Sequence, residues 1–287
     1  MKVVYNDYAR ASTIFLYIKR ARGVRRFSFD FSPVAEYDEN MKDFDVEKLR
    51  ELPHFVTFSH VEETASTSDD LKAVAREGAA DYTLRVADRQ LAGRGRVGRS
   101  FYSENGLYMS VLLPAKEETF PYVTPIAAVA VARAIRELTG EPALIKWVND
   151  VFVNGKKVCG ILTESVETSG RRRLVVGIGI NIDTPQEEFP EDIRETAGSI
   201  HADRSALAAR ILTHLFSLLD EGDLDAIRSE YRALSLLIGR EITVQKENGC
   251  LKATAIGLTD DLALSVRYED GTTEDLRTGE VGVRLFF

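Results

Sequence analysis

Cysteine is scarce: Cys159 and Cys250 are the only two among 287 residues. That excludes a disulfide framework and a cysteine-built zinc site, and it fits a reducing compartment. Long apolar runs are missing as well. The longest, Pro125 to Ala132, falls far short of the roughly 20 residues a membrane helix needs. Met1 to Ser12 carries charges but no apolar block ending in a small-residue cleavage site, so no secretory signal is expected. Positive charge is in the minority: 37 Lys and Arg against 45 Asp and Glu give a net charge of −8. Such a chain is not a general nucleic-acid coat, and any basic patch must be local. No segment is of low complexity, and no repeat of roughly 20–50 residues is visible. What is present is a 44% apolar composition, enough for a sizeable core. At roughly 150 residues per domain, the length suggests one large domain and something smaller. A soluble, cytoplasmic protein with no membrane contact is expected.

Three zones divide the chain. In residues 1–54, an extension of unclear role, Phe27, Phe29 and Phe31 alternate with polar residues as in a strand that Pro33 ends. Asp45 to Leu52 suggests a short helix. The two or three well-patterned helices of a helix-turn-helix are not found there.

Residues 55–237 mix both periodicities. Strands are expected at Val56–Val61, Tyr82–Asp88, Leu107–Leu113 and Leu174–Ile182. A helix over Ser68–Arg76 has Ser66, Thr67 or Ser68 as its cap. Thr124-Pro125 supplies an N-cap and a first-turn proline for a helix that stops near Gly140. Asn154-Gly155, between apolar runs, marks a hairpin. Ala206 to Leu219 lines one face of an amphipathic helix, and a second follows over Leu224–Leu234. This pattern predicts an α+β fold with a mixed sheet packed against helices. Residues 238–287 change character: short strands at Ile242–Gln245, Leu251–Ile256, Leu262–Val266 and Val281–Leu285 suggest a small β-barrel.

The most informative segment runs from Gln90 through Leu91, Ala92, Gly93, Arg94, Gly95, Arg96, Val97 and Gly98 to Arg99. Gly93, Gly95 and Gly98 fit the dinucleotide pattern G-x-G-x-x-G, which would suit a nucleotide-dependent oxidoreductase. That pattern must open a helix, however, and Ser100 to Leu113 reads as strand–turn–strand. Arg94, Arg96 and Arg99 instead offer guanidinium forks for carboxylate or phosphate, on a backbone that glycines free to wrap a ligand. A solvated basic loop is the plainer alternative. Three further clusters stand out. Lys146-Trp147-Val148-Asn149-Asp150 is followed, across the hairpin, by Lys157 and Gly160. Ser66-Thr67-Ser68 sits at a helix N-terminus, where free N–H donors gather. Gly177-Ile178-Gly179-Ile180-Asn181 puts glycines inside a strand, a mark of close approach by a ligand or backbone.

Taken in order, these four clusters resemble the biotin protein ligase family. Its pattern is Ser-Thr-Asn, Gln-x-x-Gly-Arg-Gly-Arg-x-Gly-Arg, Lys-Trp-Pro-Asn-Asp, Lys-x-x-Gly-Ile and Gly-x-Gly-Ile-Asn. The resemblance covers Thr64 to Asn181 and extends more weakly through Gly239-Arg240, Gly271 and Gly279-Glu280-Val281. Lipoate ligases share the fold but lack the arginine–glycine loop. Ser68 stands where Asn is usual and Val148 where Pro is usual. Some members carry a DNA-binding helix-turn-helix and repress biotin synthesis, but residues 1–54 do not resemble one.

The resemblance implies a catalytic domain of the class II synthetase and biotin–lipoyl ligase kind, followed by a small SH3-like barrel. It implies a ligase using biotin, ATP and Mg2+ in two steps. Biotin and ATP form biotinyl-5'-adenylate, and a lysine on the carrier domain of a carboxylase then takes the biotin. The biotin contacts carried over are Ser66, Thr67, Ser68, Gln90, Gly93, Arg94, Gly95, Arg96, Lys157, Gly160, Gly177 and Gly179. ATP falls to Arg94, Arg96, Arg99, Lys146, Asn149 and Asn181; no residue is assigned as a metal ligand. Arg96 and Lys157 are expected to offset the negative charge where carboxylate meets α-phosphate. Asp150 either orients or deprotonates the incoming lysine or braces the hairpin. Trp147 and Val176 are expected as apolar walls, and the Leu91–Arg99 loop as a lid over the adenylate. A biotin carrier protein is the expected partner. DNA binding is not expected, and a homodimer is open, as is the alternative of a biotin-operon repressor.

Overall fold

The computed structural model describes residues 13–20, 23–30, 44–49, 52, 54, 57–95, 101–102, 106–168, 170–246, 249–277, 279 and 281–283. Near the N-terminus, β1 (Thr13–Arg20) and β2 (Gly23–Asp30) pair antiparallel. The strand expected from Phe27 and Phe29 is β2; Phe31 and Pro33 lie outside the described residues. The helix expected at Asp45 is one 3-10 turn, Val46–Leu49.

A seven-stranded sheet carries the middle of the chain, in the order β3-β4-β5-β9-β8-β7-β6. Its strands are β3 (Phe58–Thr64), β4 (Leu84–Gln90), β5 (Gly106–Pro114), β6 (Leu144–Lys146), β7 (Asp150–Val153), β8 (Lys156–Thr168) and β9 (Arg171–Asn181). Strands β3 and β4 are parallel, joined through helix α1 (Thr67–Arg76), and the other pairings are antiparallel. The mixed sheet expected from sequence is therefore present.

The two-residue period of a strand divides side chains between the faces. Leu107, Met109, Val111, Leu113, Val176, Ile178 and Ile180 enter the large core under α2 (Val123–Thr139) and α3 (Arg204–Glu221). Leu112 and Val175 point the other way, against Leu71 and Ala75 of α1. Val176, expected as a pocket wall, is wholly buried on the α2 side, because its odd-numbered neighbours Gly177 and Gly179 take the opposite face.

Helix α2 is apolar all round from Ile126 to Ala132 because the sheet and α3 both cover it. It begins at Val123 with Tyr122 as N-cap, earlier than Thr124-Pro125 suggests. The Thr124 hydroxyl instead donates to Thr163 Oγ1 at 2.8 Å. Gly140, at φ 73°, stops the helix in the left-handed region, as expected from its lack of a side chain. Asp203 and Asp223 cap α3 and α4 (Leu224–Ala233) by accepting the N–H groups of Ala206 and Ala226.

The C-terminal segment forms a five-stranded antiparallel sheet. Its strands are β10 (Glu241–Lys246), β11 (Gly249–Leu258), β12 (Leu264–Tyr268), β13 (Thr273–Leu276) and β14 (Val281–Val283), in the order β13-β12-β11-β10-β14. Ile242, Val244, Ala255, Leu264 and Val266 join the same core as α2 and α3. Sequence periodicity misses β6 and β13. The first has three residues, and the second is an edge strand whose one buried side chain is Leu276.

Candidate active site

One row of paired residues crosses five strands on the face shared with α1. Lys146 of β6 pairs with Asp150, Asp150 with Gly160, Gly160 with Gly179, and Gly179 with Tyr108. Paired residues share a face, so one cation and one carboxylate at one end lead onto two glycines without side chains, and the row closes on Tyr108. The next row runs Leu162, Gly177, Ser110 and Arg85.

Lys157 joins this face through an irregularity. The pairing of β7 with β8 shifts between Val151 and Phe152, setting Lys157 opposite Phe152. Val158 and Cys159 consequently both enter the core. Without that extra residue, Lys157 would share the core side with Cys159; a bulge re-aims it. Its ammonium sits 2.8 Å from Asp150 Oδ1. Burial pushes the Cys159 thiol up, with the Asp150 charge adding and Lys157 opposing, so this cysteine is inert inside the core.

Asn149 is turned by its own fold contact: Nδ2 donates to Ile161 O at 2.9 Å. Trp147 is 6% exposed, and its indole N–H donates to Leu262 O of the C-terminal sheet at 2.9 Å. The Trp147–Val148 peptide is cis, and Tyr231 Oη donates to Val148 O at 3.0 Å.

At the other end lies a cluster of hydroxyls. Ser66 is the N-cap residue of α1, but its side chain makes no capping bond. The cap comes from β4 instead, where Gln90 Oε1 accepts the Thr67 N–H at 2.9 Å and the Thr67 hydroxyl at 3.1 Å. Sequence reading assigns that cap to a residue of the Ser-Thr-Ser segment; only the fold brings Gln90 to it. Ser110 Oγ, wholly buried, lies 2.8 Å from Thr67 Oγ1 and 3.0 Å from Ser68 Oγ. A Cβ at Gly177 would meet Ser68 Oγ at 2.5 Å, which is why the strand has glycine there.

The aromatic ring of Phe101 lies over the glycine floor. A Cβ at Gly179 would come within 2.8 Å of its Cε1, and one at Gly160 within 3.1 Å of its Cε2. The Phe101 N–H donates to Gly93 O at 2.8 Å, closing the base of the arginine–glycine loop. Lys157 Nζ stands 6.0 Å from the ring centre. Sequence reading assigns Phe101 no place. Arg94 forms ion pairs with Asp69 and with Glu164, the latter at 3.5 Å. Arg96, Gly98 and Arg99 lie outside the described residues.

A cavity of about 370 Å³ opens between the seven-stranded sheet and the C-terminal sheet. It gathers Arg94, Gly95, Lys146, Asn149, Asp150, Lys157 and Gly160 from the expected set, with Phe101 and Trp147. Thr243, Gln245 and Cys250 face it from the C-terminal sheet, a contribution that no motif announced. Leu162 lines the cavity and pairs with Gly177, whereas Ser66, Thr67, Ser68, Gln90, Gly177 and Gly179 are not part of the cavity lining. Asn181 is not brought to the cavity: its Nδ2 donates to Gly198 O at 2.9 Å, tying down the connection after β9. Among the described residues, no three His, Cys, Asp or Glu side chains gather as a metal cluster. A divalent ion here would arrive on the phosphates of a nucleotide.

Residues 61–181 match the Biotin/lipoate A/B protein ligase family, and residues 237–284 match the Biotin protein ligase C terminal domain. The bifunctional ligase/repressor BirA of Bacillus subtilis is 33% identical over 221 residues, spanning 72% of this chain and 68% of that protein. The biotin–[acetyl-CoA-carboxylase] ligase of Mycobacterium tuberculosis is 29% identical over 215 residues, 70% of this chain and 78% of that one. The biotin protein ligase of Aquifex aeolicus, solved with biotin and ATP, is similar with a TM-score of 0.66 and 28% identity, covering 79% of this chain and 98% of that one. Its ordered motifs, its glycine-floored sheet and these likenesses make the chain a member of the biotin protein ligase family.

Proposed function

We propose that the residues gathered on the α1 face divide the work of an ATP-dependent biotin–protein ligase as follows. The chain makes biotinyl-5'-adenylate from biotin and ATP and passes the biotin to a lysine of a carrier protein. The ureido ring of biotin is assigned to Ser66, Thr67, Ser68 and Gln90, a cluster of polar groups suited to a polar ring. The bicycle is assigned to the strip of Gly160, Gly177 and Gly179, where it takes the place that the Phe101 ring holds over Gly160 and Gly179. Its carboxylate reaches toward Lys157. ATP, as its magnesium complex, takes the cavity lined by Arg94, Lys146 and Asn149. Arg96 and Arg99 are assigned with them on the sequence alone.

The chemistry explains the cations. One anion, the carboxylate, attacks another, the α-phosphate, and pyrophosphate leaves. Lys157 and the arginines offset the repulsion and the charge that grows in the transition state. In the second step the carrier lysine attacks the acyl carbon of the adenylate as a neutral amine, and AMP departs. Asp150, beside Lys157, is placed to orient that amine or accept its proton. The observation that carries this reading is the row Lys146, Asp150, Gly160 and Gly179 with Lys157 beside it. We place the catalytic unit at 55–237 and the small C-terminal unit at 238–287, with the extension 1–54 before them, in a cytoplasmic protein. No helix among the described residues is long and apolar enough to cross a membrane.

Incubation with biotin, ATP, Mg2+ and a purified carboxylase carrier domain tests the reading by mass spectrometry of the acceptor. One added biotin on a lysine is the expected result; an unmodified acceptor overturns it. We carry over no repressor role, because the described part of residues 1–54 consists of two strands and a 3-10 turn. A gel shift with the chain's own biotin operon, in the presence of biotin and ATP, would reverse that reading.

A further inference from the structure

Three hydroxyls, from Thr67, Ser68 and Ser110, stand in line with the Gln90 amide, and counting their protons fixes a direction. The Thr67 backbone N–H can only donate, and it donates to the Gln90 side chain at 2.9 Å. The amide oxygen therefore faces Thr67. The Thr67 hydroxyl spends its one proton on the same oxygen at 3.1 Å. Ser110, 2.8 Å from Thr67 Oγ1, must then donate to it. Ser68, 3.0 Å from Ser110 Oγ, must in turn donate to Ser110. The chain runs one way: Ser68, Ser110, Thr67, Gln90. Ser110 is 0% exposed, so no solvent can reverse it, whereas Ser68 keeps 7%. A Cβ at Gly177 would lie 2.5 Å from Ser68 Oγ and 3.4 Å from Ser110 Oγ, so the glycine keeps room for this pair of oxygens.

We propose that Ser110 is a positioning residue that sets the polarity of the ligand pocket: it takes the Ser68 proton, so that Ser68 meets the ligand as an acceptor. With its proton committed, Ser68 offers lone pairs to a ring N–H. A cyclic urea presents such a ring N–H. A cyclic carbamate with oxygen in place of that N–H sets lone pair against lone pair. This inference rests on the reading that the ureido ring of biotin lies at Ser68 and Gln90.

The test compares biotin with its two carbamate analogues, each with one ring N–H replaced by oxygen, in a pyrophosphate-release assay. The wild-type chain discriminates against one analogue by about tenfold or more in kcat/KM. In Ser110→Ala the Ser68 proton is free to turn to the ring oxygen, and discrimination, read as the ratio of kcat/KM for biotin to that for the analogue, falls below about threefold. A purely structural loss would lower all three substrates together. Ser110→Cys keeps the volume with a weaker hydrogen bond and lies between the two; if the alanine variant does not fold, its discrimination decides. Wild-type discrimination retained in the Ser110 variants overturns the inference. A wild-type chain that tolerates both analogues overturns instead the placement of the ureido ring.

Discussion

Lys157 holds its ammonium 2.8 Å from the Asp150 carboxylate, and the bulge that puts it there is built by one extra residue in β8. The pair lies in the open part of the sheet, with the lysine side chain 35% exposed and the aspartate 19%. Lys157→Met is expected to lower single-turnover adenylate formation by about a hundredfold or more, since the cation acts on charge that develops in the transition state. Asp150→Asn is expected to leave adenylate formation much less affected and to slow transfer to the carrier lysine. Equal slowing of both steps by Asp150→Asn would reduce Asp150 to a brace for Lys157.

The glycine floor makes a second prediction. Gly179→Ala places a methyl 2.8 Å from Phe101 Cε1, so the ring must shift off the floor and carry the base of the arginine–glycine loop with it. The KM for biotin is expected to rise by about tenfold, as in the loss of a shaped contact, with little change in melting temperature. An unchanged KM removes the floor from the binding site.

Trp147 is the one tryptophan, and it bridges the active-site strand turn to the C-terminal sheet through Leu262 O. Biotin and ATP together are expected to change its fluorescence, because it lines the cavity. Trp147→Phe removes the N–H donor to Leu262 O together with part of the buried indole ring, a combined cost of about 1 kcal/mol or more in unfolding free energy by denaturant titration. Steady emission at saturating ligands separates Trp147 from the site, and unchanged stability of the Phe variant removes the latch.

His214 on α3 supplies a pH dependence. Burial is the largest influence on it and pulls its pKa down, against the pull of Glu137, 2.9 Å away. The folded chain thus resists protonating a group that the unfolded chain protonates near pH 6.5, on the order of the free imidazole value. Its contribution to stability is complete above that pH and is lost as the pH falls below it. Between about pH 7.5 and about pH 5.5 the melting temperature of the wild type is expected to fall more than that of His214→Gln. Parallel curves would show that His214 titrates alike in both states.

Much of this arrangement was legible in the residues. Asn154-Gly155 announces its hairpin because φ of 47° and 77° is open to those two residue types at little cost. The apolar run of α2, the caps of α3 and α4, and the motifs that surround the cavity were legible as well. Local chemistry decides such features, and it is written within a few residues.

What the sequence alone determined was the inventory: the mixed α+β pattern, the four clusters, and the family they resemble. The tertiary structure alone decided which face each side chain took. The bulge beside Val158 turned Lys157 toward Asp150, strand alternation sent Val176 into the core, and Gln90 rather than Ser66 capped α1. It also laid Phe101 across Gly160 and Gly179 and closed the cavity with residues from the last sheet. The reason is that register and sheet order are set by pairings between residues far apart in the chain, and a shift of one residue in register exchanges the buried face for the open one.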